Sequence, residues 1–274
     1  KVGGQPYTSA TGQRAAVGAI ERVRINPDNY EPMYKVIGSN KWSDSPEFQK
    51  DAQKIGVTGI CGSGIIEILA EMYLTGIISE DGVINGALSS KTKRIEKSGR
   101  TFSYRITDNI AITQADVRAI QLAKAALYAG FRLLMDKMGV KKVDRVLLAG
   151  AFGTHIEPKY AMILGMVPDC ELKNVTAIGN SAGAGARKAL LNLTAREEIE
   201  KKVRQIDKIE TAIEPLFQDH FVRAMAFPHK TDPYPLLSKA IKLPYRNLLD
   251  NTINANTNSE RKRIGRRKRQ LKTE

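Results

Sequence analysis

The spacing of apolar positions changes along the chain, and each change marks an element. Gly18–Ile25 reads as a strand, Asn26-Pro-Asp-Asn29 as a turn cluster, and Met33–Ile37 as the partner strand of a hairpin. Residues 39–54 are polar and irregular. Ile65, Ile66, Ile68, Leu69, Met72 and Tyr73 then recur at helical spacing, and Gly76 closes that helix. Residues 79–105 predict a loop-rich excursion, with Asp81-Gly82 and Asn85-Gly86 as turn signals. Thr113-Gln-Ala-Asp116 is a capping box that satisfies early backbone N–H groups. It opens a helix whose apolar face is Val117, Ile120, Leu127, Phe131, Leu134 and Met138, ended by Gly139. Val143–Ala149 predicts a buried strand, and Pro158 opens a short helix ending near Gly165. Val175–Ile178 is a further strand, followed by a helix from Ser181 to Leu193. Thr194-Ala-Arg-Glu197 reads as a second capping box, starting a charged helix to about Lys208. Residues 214–225 form a last amphipathic segment, and the Pro-rich stretch from Pro228 to Pro244 wraps the surface. Helices alternating with buried strands give an α/β protein without internal repeats.

Composition narrows the class only slightly. The 274 residues suffice for one large domain or two small ones, and 42% hydrophobic with 26% charged residues is ordinary for a soluble globular protein. The longest apolar runs, such as Val146–Phe152, are far too short to span a bilayer. Cys61 and Cys170 argue against a disulfide framework and fit a reducing, cytoplasmic setting. Two thiolates also fall short of an iron–sulfur site. Lys1-Val-Gly-Gly begins in mid-pattern, so the chain reads as a fragment.

The net charge of +14 is unevenly spread. Arg261, Lys262, Arg263, Arg266, Arg267, Lys268, Arg269 and Lys272 face only Glu260 and Glu274, which leaves the body mildly basic. This tail, from residue 244 onward, reads as disordered. It carries no aromatic residue near its cationic run for base stacking, so it predicts phosphate attraction without specific nucleic-acid recognition.

Three small-residue segments are candidates for chemistry. Val146-Leu-Leu-Ala-Gly-Ala-Phe-Gly153 is an apolar strand running into glycines, where the absence of Cβ allows a flat ligand to approach. Ile178-Gly-Asn-Ser-Ala-Gly-Ala-Gly-Ala186 is a second strand end opening a helix with free N–H groups. Gly59-Ile-Cys-Gly-Ser-Gly64 precedes the first strongly apolar helix. Its Gly62, Ser63 and Gly64 suit either a phosphate cradle or close helix packing. The segment lacks a P-loop Lys-Ser/Thr, a dinucleotide fingerprint and a nucleophile elbow. Cys61 suits a small buried residue better than a reactive thiol, and His155, His220 and His229 have no metal-like spacing. Glu197 and Glu198 belong to a solvated helix face.

Four motifs in order carry a resemblance. Thr58-Gly-Ile-Cys-Gly-Ser-Gly-Ile-Ile-Glu67, Ile112-Thr-Gln-Ala-Asp-Val117, Leu147-Leu-Ala-Gly-Ala-Phe-Gly153 and Ile178-Gly-Asn-Ser-Ala-Gly183 resemble the C-terminal domain of the reductive activators of corrinoid-dependent enzymes. The match runs from about Thr11 to Pro228. That resemblance implies an α/β, actin-like ATPase (ribonuclease H-like) lobe, with a mixed sheet flanked by helices, incomplete in this chain. Residues 1–243 would be the second lobe and residues 244–274 the basic tail. It implies ATP and Mg2+ as cofactors, an iron–sulfur cluster in the full-length family but not in this chain, and a corrinoid protein as partner. Family members use ATP to drive electrons onto inactive cob(II)alamin, restoring the cob(I)alamin needed for methyl transfer. By analogy Gly150, Ala151, Phe152 and Gly153 are adenosine-side contacts. Gly179, Asn180 and Ser181 open the connecting helix near the hinge. Gly62, Ser63 and Gly64 are further cofactor-binding candidates. No catalytic residue and no metal ligand is implied here, because the two Asp-x-Gly phosphate hairpins of the superfamily are not in the chain. A homodimer remains open. The rivals are a protein-binding module of the same fold without nucleotide chemistry, and a basic-tailed nucleic-acid-associated protein.

Overall fold

The computed structural model describes residues 12–244, and the basic-tail reading therefore lies outside the described residues. Every element below falls within residues 12–242. β1 (Ala19–Ile25) and β2 (Pro32–Val36) form the expected antiparallel hairpin, with Ile25 opposite Pro32 and Val23 opposite Tyr34. Asn26 makes the turn: its Oδ1 accepts from Asp28 N at 2.9 Å and its carbonyl from Tyr30 N at 2.9 Å. Within the stretch expected to be irregular, α1 (Pro46–Ile55) is a regular helix. Only Phe48 is buried on it, so its sequence carries almost no apolar period. Pro46 at the first turn, followed by Glu47, was the available signal.

β3 (Gly59–Ile60) runs parallel to β1, and α2 (Gly62–Leu74) follows it at once. Ile66, Ile68, Leu69, Ala70, Met72 and Tyr73 are all buried, as expected of a helix that is apolar nearly all round. It packs on β1 and ends at Gly76, whose φ is +72°.

The excursion at 79–105 contains more order than its composition suggests. β4 (Ile95–Ser98), β5 (Thr101–Arg105) and β6 (Ala111–Thr113) form an antiparallel sheet in that order. These strands are short and few of their residues are buried, which hides the two-residue period. Both turn signals operate, with Gly82 at φ +74° and Asn85 Oδ1 accepting from Ala87 N at 3.1 Å.

α3 (Gln114–Lys137) opens with the capping box intact: Asp116 N donates to Thr113 Oγ1 at 3.2 Å and Thr113 N to Asp116 Oδ2 at 2.8 Å. Its buried face agrees with the predicted one at Val117, only half at Ile120 and Phe131, and not beyond. Val117, Gln121, Lys124, Ala125, Tyr128, Ala129 and Leu133 face inward, whereas Leu127, Leu134 and Met138 are exposed. The cause is polar pairing with the segment around 225–228. Gln121 Nε2 donates to Met225 O at 2.8 Å and Asp81 O at 3.1 Å, and Lys124 Nζ donates to Pro228 O at 2.7 Å and to Ala226 O. Buried carbonyls thus draw in side chains that hydropathy alone places outside.

β7 (Val146–Ala149) leads into α4 (Gly150–His155) and α5 (Pro158–Ile163), and β8 (Val175–Gly179) into α6 (Ser181–Leu191). β7 and β8 pair in parallel. The expectation of a buried strand fails for β7, where only Val146 is buried and Leu147 is 48% exposed. A parallel pair ordinarily has both faces covered, but among the described residues Leu147 and Ile178 are left open to solvent. α7 (Leu193–Val203) is capped by Asn192, whose Oδ1 accepts from Ala195 N at 3.0 Å, not by Thr194, and it stops short of Lys208. α8 (Phe217–Arg223) lies against α3. The stretch after Pro228 does not merely wrap the surface. His229, Tyr234 and Leu237 are buried, and α9 (Pro235–Ala240) is tied down by Asp169, which accepts from Leu236 N and Leu237 N at 2.9 and 3.0 Å.

Candidate site at the ends of the parallel strands

Because β7 and β8 are parallel, their carboxyl ends emerge side by side, with Ala149 opposite Gly179. Gly150 and the Asn180–Ser181 start of α6 therefore leave the sheet at the same edge, the position where open parallel sheets receive ligands. Gly150 has φ +90° and Gly179 φ +71°, a backbone region that side-chain-bearing residues rarely adopt. A Cβ at either would meet nothing within 4 Å, so the space in front of both glycines is open. Gly153 differs: a Cβ there would lie 3.0 Å from the Leu148 carbonyl carbon, and its absence lets α4 fold back onto β7. The backbone of Ala151 and Phe152 continues α4, and Thr154 Oγ1 donates to Gly150 O at 2.9 Å. Asn180 Oδ1 accepts from Gly183 N at 2.9 Å, which caps α6 and occupies that oxygen locally.

The Gly62-Ser63-Gly64 segment faces protein. Gly64 sits where a Cβ would lie 2.5 Å from Ile20 O and 2.8 Å from Ile60 Cγ1, so this glycine is required by the contact of α2 with β1. Ser63 is buried, with its Oγ 3.3 Å from Cys61 Sγ. Gly62 is half-buried in the first turn. Helices α2 and α4 nevertheless touch, so this segment belongs to the framework behind the strand ends.

That framework contains a charged network that a reading of motifs passes over. Glu67, 1% exposed, accepts from Arg22 Nη1 and Arg24 Nη1 at 2.5 Å each and from Val23 N at 3.0 Å. Glu71, one turn later, accepts from Ile25 N at 3.1 Å and from the Tyr160 hydroxyl at 2.6 Å. The two carboxylates thus satisfy backbone N–H groups of β1 beyond the end of its short partner β3. Arg24 reaches on to Glu157 at 3.3 Å. Burial works against its charge, but Glu67, Tyr160 and Glu157 outweigh that and hold its guanidinium pKa above the ordinary range. Burial, together with the bond to Glu71, raises that of Tyr160. The signal in the sequence is a pair of glutamates four apart inside an otherwise apolar helix.

Among the described residues no group of three or more His, Cys, Asp or Glu side chains is placed to hold a metal ion. No helix among them is long and apolar enough to cross a membrane. Cys61 and Cys170 are both buried, and burial raises the Cys170 thiol pKa, which disfavours the thiolate a metal needs. These residues do not fit an iron–sulfur cluster.

The fold is an actin-like one of mixed sheets flanked by helices, and comparison with known proteins makes this specific. The family model for the C-terminal domain of RACo, the ASKHA domain, matches residues 6–238. The corrinoid activation enzyme RamQ of Eubacterium limosum is 32% identical over 231 residues, covering 79% of this chain and 36% of RamQ. A solved structure of a reductive activator for corrinoid, iron-sulfur protein superposes with a TM-score of 0.67 at 33% identity, covering 80% of this chain and 34% of that one. The chain therefore belongs to the family of RACo C-terminal ASKHA domains and spans about a third of the length of these relatives.

Proposed function

We propose that this chain is the C-terminal, nucleotide-binding portion of an ATP-dependent reductive activator that restores cob(I)alamin in corrinoid methyl-transfer proteins. The observation that carries the reading is the pair of open, left-handed glycines, Gly150 and Gly179, at adjacent strand ends. The relatives' names support the corrinoid part of it. Gly150, Gly153 and the backbone of Ala151 and Phe152 would flank the adenosine, with Gly179, Asn180 and Ser181 beside them. When bound, ATP with Mg2+ supplies the phosphoryl group whose cleavage drives the reduction. The residues of this chain bind and orient. Contacts to adenosine hold ground and transition state about equally, so they give affinity without lowering the chemical barrier. Phosphoryl transfer needs charge-stabilising groups on the phosphates themselves. The chain alone is accordingly expected to bind ATP without turning it over.

The test is Gly150→Val, assayed by equilibrium dialysis with Mg-ATP beside a thermal melt. The new side chain would fill open space in front of the strand end. Because Gly150 has φ +90°, it also costs about 1–3 kcal/mol of backbone strain, so affinity is measured well below the variant's Tm. ATP affinity should fall at least about tenfold while the protein stays folded. A folded variant with unaltered affinity would remove the adenosine assignment.

A further inference from the structure

The Glu67–Arg24–Glu157 chain of contacts joins two elements that the nucleotide reading needs in fixed relation. Glu67 lies on α2, Arg24 on β1, and Glu157 between α4 and α5, directly before Pro158. Arg24 Nη1 donates to Glu67 at 2.5 Å and to Val23 O at 2.7 Å, while Nη2 faces Glu157 at 3.3 Å. The same guanidinium lies over two rings, 4.9 Å from the Tyr160 centroid and 5.5 Å from that of Trp42. Glu67 is anchored to the β1 backbone and Tyr160 to Glu71, which leaves Glu157, at the α4–α5 junction and 3.9 Å from Arg22 Nη1 as well, as the end of these contacts nearest the strand-end turn.

We infer that Arg24 is a positioning residue: it holds the Gly150–His155 turn against α2 through Glu157, and it transmits displacement of that turn to Trp42. The inference rests on the nucleotide reading for its purpose but not for its geometry. Arg24 and Glu157 are 29% and 34% exposed, so their pair contributes little to global stability. Its loss should appear as local freedom of the turn. Arg24 suits the role because its planar fork faces Glu67 with Nη1 and Glu157 with Nη2 in a fixed geometry and lies over two rings. A compact lysine ammonium on a flexible stem reproduces that arrangement poorly. Trp42 is the only tryptophan in the chain, which makes its emission a reporter of the Arg24 position.

The experiment compares the wild-type chain with Glu157→Gln and Arg24→Lys by amide hydrogen exchange without nucleotide. Glu96→Gln, which breaks the Glu96–Arg105 pair of the β4–β5 hairpin, serves as the control. Amides of residues 150–156 should exchange about threefold faster or more in both variants, with α2 unchanged and the control indistinguishable from wild type. Unchanged exchange at 150–156, or acceleration spread evenly over the molecule, would overturn the inference. A second arm titrates Mg-ATP and follows Trp42 emission, with binding measured separately by dialysis. Emission should respond in the wild type and lose that response in Glu157→Gln while ATP still binds, and a response retained in the variant would contradict transmission through Arg24. Absence of ATP binding by the wild type would sink the nucleotide reading and this second arm with it, and the exchange result would still decide whether Arg24 holds the turn.

Discussion

Replacing Gly64 by Ala separates the two roles its motif suggests, because the added methyl group meets the protein and not the strand-end space. The new Cβ would lie 2.5 Å from Ile20 O and 2.8 Å from Ile60 Cγ1. To restore ordinary contact, α2 must back away from β1 by roughly 0.7 Å. The helix carries Glu67 and Glu71, whose bonds to Val23 N and Ile25 N are 3.0 and 3.1 Å long. A shift of that size stretches both beyond about 3.5 Å, where hydrogen bonds lose most of their strength. Overpacking costs about 1–3 kcal/mol, and each weakened buried bond adds about 1 kcal/mol. The better helix propensity of Ala returns about 1 kcal/mol. The net loss is about 2–4 kcal/mol, which for a chain of this size lowers Tm by roughly 5–12 °C. Urea unfolding and a thermal melt measure it directly, with Mg-ATP affinity determined well below the new Tm. A variant within about 0.5 kcal/mol of wild type would refute the packing account. So would one of normal stability that had lost ATP binding, because that would return Gly64 to the ligand.

Other perturbations probe the remaining parts. Gly165→Ala should prevent stable folding, since Gly165 has φ +69° and a Cβ there would overlap the Pro228 carbonyl; a soluble variant melting within a few degrees of wild type would contradict the tight seating of that segment. Lys124→Met keeps the length of the side chain but orphans the carbonyls of Ala226 and Pro228, with an expected cost of about 2–3 kcal/mol in denaturant titrations. Burial raises the pKa of Tyr104, Tyr128, Tyr160 and Tyr234. These groups contribute full stability below the unfolded tyrosine pKa near 10 and lose it as pH rises further. The urea midpoint should therefore fall between about pH 9.5 and 11, with a shallower fall in Tyr160→Phe; equal slopes would speak against the buried hydroxyl.

Local signals in this chain succeed where the chemistry is local. The Thr113–Asp116 box, the Asn26 turn and the glycines at 76, 82, 150 and 179 all act through their own backbone, and the structure places them accordingly. The strand–helix junctions of the candidate site were legible for the same reason, since a left-handed glycine after an apolar strand needs no distant partner. The face of α3 was legible only in part. Its orientation depends on carbonyls about a hundred residues away, which recruit Gln121 and Lys124 inward and leave Leu127 and Leu134 outside. The Glu67–Arg24–Glu157 contacts are hidden likewise, because their partners lie on three separate elements. The short strands at 95–113 escaped notice because so few of their residues are buried. Gly64 shows the converse: a phosphate-like motif whose glycine answers to a neighbouring strand.

The central claim is that the open strand ends of β7 and β8 receive the adenosine side of ATP. A titration of isotope-labelled chain with Mg-ATP, followed by amide NMR, tests it residue by residue. The account predicts saturable shifts at Gly150, Gly153, Gly179 and Asn180, with Ser63 and Gly64 moving far less and no phosphate released. Saturable shifts confined to α2 and Gly64, or none at Gly150 and Gly179 at millimolar ATP, would contradict it.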